Sequence, residues 1–183
     1  MVKTAQKQGK LYPAFEGVLC FSQDVPIFEL NEEMKWVYHW MNGFADKRDF
    51  LVELPKSQVG LLFHSSKVRV TSTVNNYQPH FQISLSLDGE ITEWTGNTEQ
   101  NQRGLKMVTN QAQENMEQLI ITTLKEVVNQ QGCDVFGLGK TLRKQQSQYY
   151  KSLSAWQETM KNSTYCVQVE LELTRVGGIT TAS

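Results

Sequence analysis

Apolar and polar residues alternate along two stretches of the chain, and each alternation predicts a β-strand. In the first stretch Phe81, Ile83, Leu85 and Leu87 are separated by polar residues, and in the second the same period of two runs through residues 165–173. Strands with one apolar and one polar face are typical of antiparallel sheets, whereas strands of a βαβ sheet are apolar on both faces. We therefore expect mainly antiparallel pairing.

Shorter apolar runs predict further strands. FLVEL, VGLLFH and KVRVTSTV precede the first alternating stretch in quick succession. Near the start of the chain, residues 15–21 predict a strand, residues 22–24 a turn and residues 25–30 an edge strand, because Pro26 has no N–H for a central ladder. Asp88–Gly89 fits either a tight turn into EITEW or a bulge within one longer strand.

A first helix is predicted between Asn31 and Gly43. Asn31 suits an N-cap, and the two glutamates that follow it suit a helix N-terminus. Apolar residues recur at helical spacing, at Met34, Val37, Tyr38 and Met41, and Gly43 favours termination.

A second, longer helix is predicted after the polar loop of residues 95–104. Asn110 and Gln113 resemble a capping box, and Gly132 favours termination. Shorter helices are expected near residues 140–150 and 153–160. The long helix carries one apolar stripe, formed by Ala112, Met116, Leu119, Ile120, Leu124, Val127 and Val128. The whole pattern predicts an α+β fold, a mainly antiparallel sheet with one long amphipathic helix and shorter helices packed on it.

Composition limits the classes of function. With 183 residues, 39% hydrophobic and 20% charged, the chain can bury a core, and we expect a single domain over residues 11–183. Residues 1–10 are polar and basic and predict a flexible N-terminal arm or the start of an excised fragment. Eighteen basic against nineteen acidic residues give a net charge of −1, which argues against a nucleic-acid partner. No apolar run is long enough to span a bilayer, so we expect the chain itself to be soluble.

The segment GLGKT at residues 137–141 is a candidate for phosphate binding, because glycines allow close approach and a lysine can contact phosphate. The full pattern requires a glycine at position 134, where Asp134 stands, and a preceding strand instead of a helix. A flexible turn between helices explains the glycines better. The alternative function left open is a small-molecule-binding domain or enzyme with a cleft near Gly137 to Thr141.

Histidines and cysteines give no local signature of catalysis or metal binding. His39, His64 and His80 are scattered, without the spacing of a zinc motif. The three cysteines, Cys20, Cys133 and Cys166, include no CxxC pair, and we expect buried, inert thiols. No cofactor, metal ligand or catalytic residue is predicted.

Three segments together resemble a known family: GVLCFSQDVPIFELNEEMKWVYHWMNG near the start, GCDVFGLG followed by Trp156, and the closing VQVELELTRVGGI. Over residues 11–179 the chain resembles the C-terminal domain of the Ger(x)C family, the lipoprotein C subunits of bacterial spore germinant receptors. The resemblance implies a non-enzymatic interaction domain that acts with the A and B membrane subunits to trigger germination. It also implies a place on the outer face of the spore inner membrane, held by the lipid anchor of the full-length lipoprotein. Cys20 lacks the small residues of a lipidation motif, so we do not expect it to carry that lipid.

Within the GCDVFGLG segment, four residues receive structural roles. We expect Asp134 to make a cap or turn hydrogen bond, Phe136 to anchor the core, and Gly137 and Gly139 to adopt unusual backbone angles.

Tryptophans are the candidate contact residues. Trp36 and Trp40 share a helix face, and Trp156 follows the GCDVFGLG segment. Because aromatic residues dominate interface energetics, these three are predicted to contact another domain or subunit.

Overall fold

Two short hairpins precede the main body of the domain in this computed structural model, which describes residues 2–7, 10–15, 17–22, 25–44, 49–97 and 100–175. Strand β1 (Val2–Lys7) pairs antiparallel with β2 (Lys10–Phe15), so residues 2–7 of the segment expected to be an arm lie in a strand. Strand β3 (Leu19–Ser22) pairs with β4 (Val25–Glu29), which contains Pro26, as the strand–turn–strand prediction requires. Residues 23–24 of the predicted turn lie outside the described residues.

Helix α1 (Glu32–Met41) confirms the first predicted helix. The side chain of Asn31 accepts a hydrogen bond from the backbone N–H of Met34 at 2.8 Å, which satisfies one of the free donors of the first turn. The helix ends before Gly43, whose φ of +76° favours glycine.

A long hairpin forms the centre of a four-stranded sheet with the order β5-β6-β7-β8. Strand β5 (Phe50–Leu54) lies at one edge, and β6 (Ser57–Asn75) and β7 (Gln78–Gly96) each have 19 residues, so runs predicted as separate strands join into continuous ones. Asn76 and Tyr77 connect them with φ of 50° and 60°, the backbone of a type I′ turn.

The bulge alternative for Asp88–Gly89 is the one observed. His64 is an extra residue in β6 opposite this pair, because Phe63 faces Gly89 and Ser65 faces Asp88. A Cβ at Gly89 would lie 2.7 Å from the carbonyl oxygen of Leu62, so the close approach of β6 and β7 at the bulge requires glycine.

Strand β8 (Thr164–Arg175) departs from the antiparallel expectation, because it runs parallel to β7. The chain between the two strands forms the helices, as parallel neighbours require a long crossover. An edge strand that is polar on one face alternates in the same way whichever direction its neighbour runs, so the pattern carried no information about direction.

Helix α2 (Gln102–Leu124) begins eight residues before the predicted capping box. The side chain of Asn101 accepts from the backbone N–H of Gly104 at 3.0 Å and is the actual N-cap, so the cap predicted at Asn110 is wrong. The helix continues as a π-helical segment, Lys125–Gln130, and stops at Gly132, which has a φ of +66°.

Three short helices, α3 (Leu138–Gln145), α4 (Ser147–Ser152) and α5 (Trp156–Lys161), complete the crossover to β8. The core lies between the sheet and the helices. Its largest fully buried side chains include Trp40, Phe63, Phe81, Met116, Ile120 and Leu138.

Side chains from two helices bond to the open edges of the sheet. At the β8 edge, Gln113 of α2 donates to the carbonyl of Val169 at 2.7 Å, and Glu117 accepts from the N–H of Val169 at 2.9 Å. At the β6 edge beyond β5, Gln145 accepts from the N–H of Ser72 at 2.6 Å. These groups replace the partners that a further strand would supply.

Replacing Gln145 with Ala is expected to lower the free energy of unfolding by about 1–2 kcal/mol, because the N–H of the buried Ser72 loses its acceptor. Urea denaturation measures the change, and hydrogen exchange at the Ser72 amide should accelerate. The control is Lys144→Ala, at an exposed neighbouring position. Equal stability of the two variants would contradict this role of Gln145.

Candidate functional site

Asp134 caps helix α3 with both oxygens of its carboxylate. Oδ1 accepts from the N–H of Leu138 at 2.9 Å, and Oδ2 accepts from the N–H of Gly139 at 2.7 Å. A negative charge at a helix N-terminus is favourable because the unpaired N–H groups there carry partial positive charge. Phe136 is only 8% exposed and packs in the core, and Gly137 adopts a φ of +73° directly before the helix.

Gly139 is required for a different reason from the one predicted. Its φ lies outside the left-handed region that Gly137 adopts, so the unusual backbone angle expected there is wrong. A Cβ at Gly139 would lie 2.8 Å from Cζ3 of Trp156 and 3.2 Å from Oδ2 of Asp134. The space that a side chain at position 139 would need is therefore already filled by the indole ring and by the capping carboxylate.

This arrangement argues against a phosphate site at residues 137–141. A phosphate at the start of α3 would need the same N–H groups of Leu138 and Gly139 that Asp134 already occupies. Asp134 would also repel it. Lys140 is exposed, and the hydroxyl of Thr141 lies 3.4 Å from the carbonyl oxygen of Gly137, in position to donate within the helix turn.

Two histidines each lie close to a polar side chain of a neighbouring strand. Nε2 of His64 lies 3.3 Å from Oε2 of Glu90, and Nδ1 of His80 lies 2.8 Å from Oγ1 of Thr164. No group of three or more metal-ligating side chains occurs in the described part of the chain.

The cysteines divide into a buried pair and one exposed thiol. Cys20 and Cys133 are buried close to each other, and burial raises the pKa of Cys20 to about 12. Burial also raises the pKa of Cys133. Cys166 is exposed on β8, so the expectation of a buried thiol is wrong there, because residue 166 lies on the polar face of the strand.

Trp40 cannot contact a partner, which corrects the prediction for that residue. It is 0% exposed, because α1 turns this face toward the sheet, and its ring meets Phe63 edge to face with centroids 5.9 Å apart. Its carbonyl oxygen accepts from the hydroxyl of Ser66 in β6 at 2.8 Å.

Trp36 lies on the same helix and remains half-buried. Its ring is edge-on to Trp40 and to Phe50, with centroids 5.7 Å and 5.2 Å apart. These two contacts fix the orientation of the ring. Because Trp36 is only half-buried, part of the ring remains accessible to a partner.

Trp36 lines a groove of about 410 Å³ between α1, β5 and α2. Two carboxylates, Glu33 and Asp49, lie in its walls, and Leu51 is 59% exposed although it is a large aliphatic residue. Phe50, Asn115 and Leu119 are further lining residues in the described part of the chain. Of these lining residues, only Trp36 was predicted from the sequence as a contact residue. The sequence signal for the others was Leu51, an apolar residue on the outward face of a short strand.

We expect Gly139→Ala to lower the free energy of unfolding by about 1–3 kcal/mol, since the added methyl overlaps the ring of Trp156. In a Trp156→Ala background the same change should cost much less, because the overlap is relieved. Urea denaturation of the four proteins of this double-mutant cycle gives the coupling. Additive effects would show that the ring does not restrict Gly139.

Thiol titration tests the division of the cysteines. The native protein at pH 8 should react rapidly with one equivalent of 5,5′-dithiobis(2-nitrobenzoate), at Cys166, and with three after denaturation. The thiolate is the reactive form, and the raised pKa of Cys20 keeps that thiol protonated at this pH. Cys166→Ser should abolish the rapid reaction. A rapid second equivalent in that variant would contradict the burial of the pair.

None of the helices in the described part of the chain combines the length and apolar character needed to cross a membrane.

Comparison with solved structures gives a match to the crystal structure of the GerBC protein. The TM-score is 0.77 at 14% sequence identity, over 94% of this chain and 55% of that chain. At this identity the likeness establishes the fold, and this chain spans about half the length of GerBC. No curated protein sequence matches.

A sequence profile described as "Spore germination B3/ GerAC like, C-terminal" matches residues 16–177. This match covers most of the chain and agrees with the resemblance found from GCDVFGLG and its flanking segments. The chain therefore belongs to the spore germination B3/GerAC-like C-terminal domain family.

Proposed function

We propose that this chain is the C-terminal domain of the C subunit of a nutrient germinant receptor, and that it works as a non-enzymatic interaction domain. The observation that carries the proposal is the family match over residues 16–177. The partners proposed are the A and B membrane subunits, with which the C subunit triggers germination.

The environment of the motif residues supports an interaction role over a catalytic one. Asp134, the carboxylate of the GCDVFGLG segment, uses both of its oxygens to cap α3. The ring of Trp156 packs on Gly139 and is partly covered by this contact. The residues predicted from this segment thus stabilise a helix start, and the surface available to a partner lies elsewhere.

The groove beside Trp36 is the surface that we assign to docking. It combines a half-buried aromatic ring with the exposed side chain of Leu51, and such exposed apolar area is favourable to bury against a partner. Trp36 is thus kept as a contact residue, and Trp156 remains a secondary candidate through the part of its ring that is not covered.

The full-length protein is proposed to be a lipoprotein on the outer face of the spore inner membrane. Cys20 is not a suitable lipid attachment site, because it is 1% exposed and an acyl group there would have to displace the core.

Site-specific photocrosslinking of the full-length protein in spores tests the proposal. A photoreactive amino acid at Leu51 should capture the A or B subunit. The matched control is Tyr77, which is 88% exposed at the far end of the β6–β7 hairpin. Gly60, the strand partner of Leu51, lies roughly 50 Å along β6 from that turn.

Capture from Leu51 and not from Tyr77 is the expected result, and Trp36→Ala should reduce it together with the germination response to nutrient. Absence of receptor subunits among the products from Leu51, with the protein folded and present, would contradict the docking role.

A further inference from the structure

The charged side chains that the structure describes in the walls of the docking groove are both acidic. Glu33 of α1 and Asp49, directly before β5, each contribute a carboxylate, and none of the lining residues that the structure describes is basic. The hydrogen bond that Asp49 accepts from the hydroxyl of Thr92 at 3.1 Å comes from a neutral group and leaves the negative charge in place. Lys35 lies between Glu33 and Trp36 in the sequence. It forms a salt bridge with Glu32, with Nζ and Oε1 2.6 Å apart.

The rest of the lining is suited to aliphatic or aromatic groups. Trp36 and Phe50 hold each other edge to face, and Leu51 and Leu119 extend the apolar surface. Lys and Arg side chains combine an apolar stem with a cationic head, so they can pack along such rings while the head reaches a carboxylate. A volume of about 410 Å³ lies in the range of small binding pockets, roughly 300–1,000 Å³, and accommodates a few side chains.

We infer that this groove binds a basic segment of a partner protein, in which Lys or Arg alternates with apolar residues. The inference rests on the proposed function and adds the chemistry of the partner. The carboxylates of Glu33 and Asp49 select the cation, and Trp36 and Leu51 bind the apolar stems.

Binding of short peptides to the 183-residue chain tests this chemistry. The probe is acetyl-Leu-Lys-Phe-Lys-Leu-amide, with Glu and Gln versions of the same peptide as controls. The readout is the indole N–H signal of Trp36 in a ¹H–¹⁵N NMR titration, assigned with Trp36→Phe. We expect saturable shifts with the Lys peptide, weaker at high salt, and none with the Glu peptide. Equal binding of all three peptides would overturn the inference.

Variants that remove charge test whether Glu33 and Asp49 are the carboxylates that bind the Lys peptide. Glu33→Gln with Asp49→Asn should weaken binding of the Lys peptide about tenfold, since two ion pairs are lost. The matched control is Glu170→Gln with Glu172→Gln, which removes the same charge from exposed positions on β8. Similar affinity for the two double variants would overturn the inference.

Charge reversal provides a second test. Glu33→Lys with Asp49→Lys should exchange the preference, so that the Glu peptide binds and the Lys peptide does not. Both positions are exposed, and NMR spectra of the variant check the fold. A folded variant that binds neither peptide, or still prefers the Lys peptide, would count against the inference.

The chain has its own basic pair, Lys47 and Arg48, directly before Asp49 in the sequence and outside the described residues. If this pair were the occupant, the Lys peptide would bind only to the Lys47→Gln, Arg48→Gln variant, and the inference of a separate partner would be overturned. Binding to the unchanged chain supports it.

Crosslinking from Leu51 separates this inference from the proposed function. Loss of capture in the Glu33→Gln, Asp49→Asn protein supports both. Undiminished capture in that variant would overturn the charge selection while the docking role stands. Absence of capture in the unchanged protein would contradict the docking role itself.

Discussion

An open β-sheet leaves the N–H and C=O groups of its outer strands without partners, and the helices of this domain lie where their side chains supply them. Gln113 and Glu117 of α2 bond both backbone groups of Val169, and Gln145 of α3 bonds Ser72 at the opposite edge. These contacts fix α2 against β8 and α3 against β6. Because such groups are costly to bury unpaired, these bonds help to set where α2 and α3 pack on the sheet.

The same need to pair backbone N–H groups explains why the GCDVFGLG segment has a structural role. The N–H groups of Leu138 and Gly139 at the start of α3 need acceptors, and Asp134 provides them, so these two donors are already used and a phosphate cannot bind them. Side chains available for recognition lie elsewhere. The exposed Leu51 and the half-buried Trp36 lie beside the carboxylates of the groove.

Sequence patterns predicted the elements whose signals are local. The cap at Asn31 and the stop at Gly132 depend on neighbours within a few residues, and both were found. The start of α2 was missed because Asn101 and Asn110 are equally suitable caps by composition. Burial of Trp40 depends on the sheet beneath α1, and the groove brings residues of α2 next to residues of α1 and β5 that lie more than 60 residues earlier in the chain, so neither leaves a periodic signal.

The parallel placement of β8 has a consequence for synthesis of the protein. His80 of β7 and Thr164 of β8 are neighbours in the sheet but 84 residues apart in the chain. At about 5–20 residues per second, the ribosome needs roughly 4 to 17 seconds to make that interval. Throughout it β7, a central strand of the finished sheet, has one open edge on which another chain can pair, so the nascent chain is exposed to aggregation until β8 emerges.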